Sequence, residues 1–183
     1  MGLFYFDKRQ FCYFTIIYAL LFAVLILPGL FPTLTYSEAQ DVMNQNNANS
    51  QVATVSSVFS TNMAIAGFSM IPVGGWLFAF FVLWQTGVVV SSYGYPWWFL
   101  LTNPFAYVEL AVISYAILKS IRLVQLFKRR KTRFMDLDGR WVVRRTTGVY
   151  QQMGLTVAYT LIICNLVLLI SAFIEIAVIK GLI

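Results

Sequence analysis

Histidine is absent from the 183 residues. That removes the commonest metal ligand and the usual general base near neutral pH. Triads and metal centres that need an imidazole are therefore excluded. Cysteine is scarce. Cys12 and Cys164 each lie inside an apolar run, where thiols pack as small hydrophobes, and two such residues make no disulfide framework. Charge is scarce as well: 11% of residues are charged and 60% are hydrophobic, with a mean hydropathy of +0.75. A soluble domain carries about a quarter charged residues, so this chain cannot clothe a water-facing surface. It belongs in a bilayer. No cofactor motif is present, and the expectation is a protein without cofactor or catalytic residues.

What is abundant fits that setting. The chain has 16 Phe, 10 Tyr and 5 Trp, a load suited to lipid contact and interfacial belts. The first apolar run is "FCYFTIIYALLFAVLILPGLF", about residues 11–31. At 1.5 Å per residue it is long enough for a ~30 Å hydrocarbon core. Lys8 and Arg9 precede it and no small-residue cleavage site is evident, so it reads as an uncleaved signal anchor. Pro28 falls near its far end, where few helical bonds are lost.

A polar segment follows at 32–51, rich in Asn and Gln, with Glu38 and Asp41 but neither Lys nor Arg. The second span reads 52–71. "IPVGGW" then predicts the turn of a helical hairpin close to a membrane face. The third span reads 76–93, and Trp97 and Trp98 follow it as an interfacial anchor. The fourth reads 104–124 and the fifth 155–178. The predicted fold class is all-α: residues 1–183 form one polytopic domain, a bundle of five transmembrane helices.

Orientation comes from where positive charge is missing. Of 13 Lys and Arg, none lies between Arg9 and Lys119, ten lie from Lys119 to Arg145, and Lys180 stands alone near the end. The positive-inside rule then places the amino terminus and the basic loop 125–148 in the cytoplasm. The Asn-rich loop and the carboxyl terminus face outward. The expected location is the cell membrane, multi-pass.

Few polar groups interrupt the spans: Asn62, Gln85, Thr86, Glu109, Asn165 and Glu175. Glu109 is the one full charge between Pro104 and Leu118. A carboxylate at mid-bilayer costs several kcal/mol, so both acids are expected to point at other helices. Ala106, Ala116 and Ser120 share the face of Glu109, and Cys164 and Ser171 share that of Glu175. Two readings follow. The acids hydrogen-bond to neighbouring helices and fix register, or they line a proton, cation or substrate site in the outer half. An oxygen-ligand metal site on the glutamates stays open. Small residues mark the expected helix-packing stripes: Ser56, Ser60, Ala64 and Gly67 on the second span, and Gly75, Ala79 and Gly87 on the third, with Thr86 beside them.

Lys128, Arg129, Arg130, Lys131 and Arg133 follow the fourth span. Such a cluster attracts anionic lipid head groups at about 1 kcal/mol per residue. A nucleic-acid partner is not expected. "DLDG", 136–139, reads as a turn, and "GRWVVRR" as an amphiphilic piece on the membrane surface with Trp141 buried.

Four segments together resemble the stage II sporulation protein M family over about residues 55–180. "STNMAIAGFSMIPVGG" is similar to a helix with an Asn before a Gly-rich turn. "VLWQTGVVVSS" resembles the next helix, with Thr86 and Gly87 at its paired position. "PFAYVELAVISYAILKS" is similar to the family's Pro-His-Gly-x-x-Glu helix, with Phe105-Ala106 in place of His-Gly and Glu109 at the glutamate. "LLISAFIEIAVI" resembles the closing helix, with Glu175 at a second glutamate. The resemblance implies a five-span, non-catalytic membrane protein that holds partners together. The leading expectation is thus a scaffold or accessory subunit whose partners are other integral membrane subunits. The rival is a small transporter or channel with Glu109 and Glu175 lining a pocket open to the outside. On the leading expectation the Asn-rich loop, too polar to fold alone, is ordered only by a partner.

Overall fold

The computed structural model describes residues 7–30, 41, 54–92, 103–129, 131–135, 141–145 and 148–179. Five helices carry the described chain: α1 (Lys8–Leu30), α2 (Val55–Ser69), α3 (Gly74–Ser92), α4 (Pro104–Arg129) and α5 (Val149–Ile179). Four of them, α1, α3, α4 and α5, are long and apolar enough to cross a membrane. The protein is a membrane protein built of helices. α2, in the expected second span, has 15 residues, about 22 Å at 1.5 Å each. That is short of a ~30 Å core. The Asn-rich loop, the Trp97–Trp98 anchor, the "DLDG" turn and the carboxyl terminus fall outside the described residues.

Local chemistry sets the ends. Thr54 caps α2 as a capping box: its hydroxyl accepts from Ser57 N–H and its own N–H donates to the Ser57 hydroxyl. Asn103 precedes Pro104, the first residue of α4, and accepts the Phe105 N–H at 3.0 Å. Proline is favoured there because its missing N–H has no helical partner to lose. Between α2 and α3 the chain reverses in a few residues. Gly74 N–H donates to the Pro72 carbonyl at 2.8 Å, and Val73 carries the positive φ of 64°. A β-branched residue is a poor occupant of that region.

α4 is the centre of the bundle. It packs against each of the other four helices, and half of its most apolar stretch is buried, against 28% or less in α1, α3 and α5. Three clusters use different faces of it. Leu110, Ile113 and Ile117 meet Leu21 and Leu25 of α1 and Ala79 and Leu83 of α3. Val112 meets Ala66 of α2 and Cys164 and Leu168 of α5. Ala116 and Leu123 meet Met70 and the flank of α5. Hydroxyls buried in this packing bond back into their own helices, as Ser114 does to the Leu110 carbonyl at 2.6 Å and Thr160 to Thr156 at 2.6 Å. Lipid supplies no water to replace such bonds.

The small-residue stripes divide. On α3 the expectation is met: Gly75, Ala79 and Gly87 are all buried. A side chain at Gly87 would strike the Leu25 carbonyl and the Pro28 ring of α1, and one at Gly75 the Phe68 carbonyl. On α2 the stripe is turned the other way. Ser56, Ser60 and Ala64 are exposed, and a Cβ on Gly67 would meet nothing within 4 Å. Ala66 and Ser69 are buried instead, beside Phe59, Met63 and Ile65. Bulky side chains fill the space against α4 and α5 there. A helix apolar on all sides carries no pattern to say which face goes in.

The basic segment, expected to be a loop, holds a two-stranded antiparallel hairpin. β1 (Lys131–Met135) pairs with β2 (Trp141–Arg145), with Lys131 opposite Arg145 and Met135 opposite Trp141. The "WVVRR" piece is thus a strand. Adjacent valines favour extended backbone.

Candidate functional site

One end of the bundle encloses a cavity of about 360 Å³ to which all five helices contribute. Leu25 comes from α1, Thr61, Asn62 and Ile65 from α2, and Thr86 and Val90 from α3. Phe105, Ala106 and Glu109 come from α4, and Leu168 and Glu175 from α5. Chain direction explains the convergence: the carboxyl-terminal halves of α1, α3 and α5 meet the amino-terminal halves of α2 and α4. Acids 66 positions apart (175 − 109) thereby line one space.

The two acids have different surroundings. The Asn62 side-chain amide donates to Glu109 Oε1 across the α2–α4 contact. This is the register-fixing use of a polar side chain in a bundle. Glu175 is placed otherwise: its Oε2 is buried and has no hydrogen-bond partner, and the same holds for the Ser171 hydroxyl one turn before it. Among the described residues no Lys or Arg lines the cavity. Glu175 is close enough to act electrostatically on Glu109. Two carboxyls, the amides of Asn62 and Asn103 and the hydroxyls of Thr61 and Thr86 present oxygen acceptors to whatever enters. Such a set suits a proton or a cation. Among the described residues there is no group of three His, Cys, Asp or Glu that would hold a metal ion.

The other polar positions scatter. Thr86 lines the cavity but spends its hydroxyl on the Val82 carbonyl of its own helix, at 2.9 Å. The Asn165 amide donates to the Leu161 carbonyl at 2.9 Å, also within its helix. Gln85 is on the exposed side of α3. Thr61 and Asn103 belong to the cavity although sequence reading passed over them. Asn103 had a signal in the Asn-Pro pair that opens α4; Thr61 had none beyond adjacency to Asn62. A further cross-helix bond was also missed: Trp76 Nε1–H donates to the Ser120 hydroxyl at 2.5 Å, tying α3 to α4. Of the basic cluster, Lys128 is exposed near the end of α4, Arg129 closes that helix, and Lys131 and Arg133 lie in β1. Arg130 is outside the described residues.

No protein-family model matches the sequence, and neither a curated protein nor a solved structure does.

Proposed function

We propose that this chain is a non-catalytic accessory subunit or scaffold of a membrane protein complex, with its amino terminus and basic hairpin in the cytoplasm. The observation that carries this reading is the outward face of α2. Ser56, Ser60 and Ala64 are uncovered by the chain's own bundle. In lipid, small residues let a second helix approach closely, and that close packing drives association. α2 is also too short for a ~30 Å core, a mismatch that favours company over lipid. The occupant is a transmembrane helix of a different subunit. The resemblance to the stage II sporulation protein M family supports the same reading. Asn62 and Glu109, from two of its motifs, are hydrogen-bonded, and Glu175, from a third, shares their cavity. Anionic head groups at the cytoplasmic face are the second partner class, and nucleic acid is not one.

The test is a photo-reactive residue placed at Ser60 or Ala64 in native membranes, with Leu77 of α3 as comparison. The expected result is one discrete membrane-protein adduct from α2 and lipid adducts from Leu77. Lipid adducts alone at all three positions, or adducts only with a second copy of this chain, would overturn it.

A second reading rests on the unpartnered Glu175 oxygen: the cavity is a cation or proton site of a small transporter. Flux into liposomes that is lost in E109Q/E175Q would favour it. Absence of flux in the unaltered protein would end it.

A further inference from the structure

A second cavity, of about 390 Å³, lies at the opposite end of the bundle, and its assignment rests on the reading above that anionic head groups are partners. It sits between the start of α1 and the carboxyl-terminal half of α4. Its charged lining is three cations, Arg9, Lys119 and Arg122, against one carboxylate, Asp7. Gln10 and Gln125 add amides and Tyr13 adds a phenol. Lys119 is unusual in being only 9% exposed. Its ammonium sits 4.8 Å from the centre of the Tyr115 ring. Arg122 acts on it as a like charge. Two cations held together on a helix repel, and an anion between them turns that repulsion into attraction.

The surroundings narrow the anion. Arg9 and Tyr13 line the cavity, and along the same stripe of α1, Tyr13, Ile16 and Leu20 are 47%, 50% and 53% exposed. At 100° per residue these four side chains stay within about 60° of one another. A polar, cationic pocket therefore opens onto an apolar track that runs into the bilayer. Guanidinium groups bind phosphate oxygens two at a time, and basic pockets between membrane helices seat phosphorylated head groups. We infer that Arg9, Lys119 and Arg122 bind the phosphate of an anionic phospholipid, whose acyl chain lies along Tyr13, Ile16 and Leu20.

This site is distinct from the Lys128–Arg133 cluster, which can attract a charged surface without a pocket. Native mass spectrometry of the full chain, with phosphatidylglycerol and phosphatidylcholine in competition, separates the two. The unaltered protein is expected to retain phosphatidylglycerol. R9Q/R122Q is expected to lose that preference by roughly tenfold or more, and K8Q, which removes an exposed cation at the same end that does not line the cavity, by less than about twofold. Equal loss in K8Q, or no loss in R9Q/R122Q, would overturn the assignment. Inorganic phosphate is the other source of the same chemistry. If millimolar phosphate displaces the lipid from the unaltered protein, the site is one for a soluble anion and the lipid assignment fails. The unaltered protein also gives a measure that needs no variant. A few equivalents of phosphatidylglycerol are expected to raise its thermal midpoint in detergent, and phosphatidylcholine is not. Equal responses would count against the site.

Discussion

Around Glu109 all five helices converge, and the contacts there are close and specific. Around Arg122 only α1 and α4 contribute to the cavity among the described residues, and most of its polar groups are exposed. At the acid end the backbone of α1 touches Gly87, Asn62 holds Glu109 and Phe22 stacks on Tyr107 at 5.8 Å. At the basic end Arg9, Arg122 and Lys128 are exposed, and the adjoining α2–α3 turn tolerates a valine at positive φ. The difference teaches where each kind of residue does its work in lipid. An interior acid has no water to retreat to and must be accommodated by neighbours. A cation near a helix end can reach the head groups and asks little of the fold.

Substitutions should therefore hurt one end and spare the other. The largest expected effect is at Gly87. A side chain there meets the backbone of α1, which cannot swing aside, so G87V should cost about 3 kcal/mol in a reversible unfolding assay in micelles. Near-normal stability would show that α1 and α3 are not in contact at that level. N62A comes next, at about 2 kcal/mol, since it removes a bond and leaves a half-buried carboxyl short of a donor. The same assay reads it, and N62A combined with E109Q should cost less than the sum of the two single changes. At the opposite end V73G should raise stability, by about 1 kcal/mol, because glycine occupies a positive φ without strain. A loss there would mean that Val73 packs against something that matters. The smallest effect is expected for K128Q, within about 0.5 kcal/mol. A loss as large as that of N62A would erase the contrast between the two ends.

Much of the helical layout was legible. The runs beginning at Phe11, Trp76, Pro104 and Leu155 are each carried by an observed helix, because hydropathy and helix formation are local and add along the chain. Boundaries were less legible. α5 begins at Val149, six residues before the apolar run, and α4 continues to Arg129, five beyond it. Hydropathy marks the hydrocarbon, while hydrogen bonding carries a helix on past it; exposed Gln151 and Gln152 belong to that extension. The α2 stripe was misread because spacing identifies a face without saying what lies opposite. The hairpin at 131–145 was hidden by composition, since four Lys and Arg within its two strands read as solvated loop.

The sequence by itself determined that this is a helical membrane protein with its positive charge gathered near one end and two acids within apolar runs. Each of those properties is a sum over neighbouring residues. Only the tertiary structure decided that Asn62 meets Glu109 across 47 positions, that Glu175 joins them with one oxygen unmatched, and that α2 turns its small residues outward. Those outcomes depend on how helices of nearly uniform polarity rotate against one another. In lipid, packing and single hydrogen bonds set that rotation, and neither leaves a periodic trace along the chain.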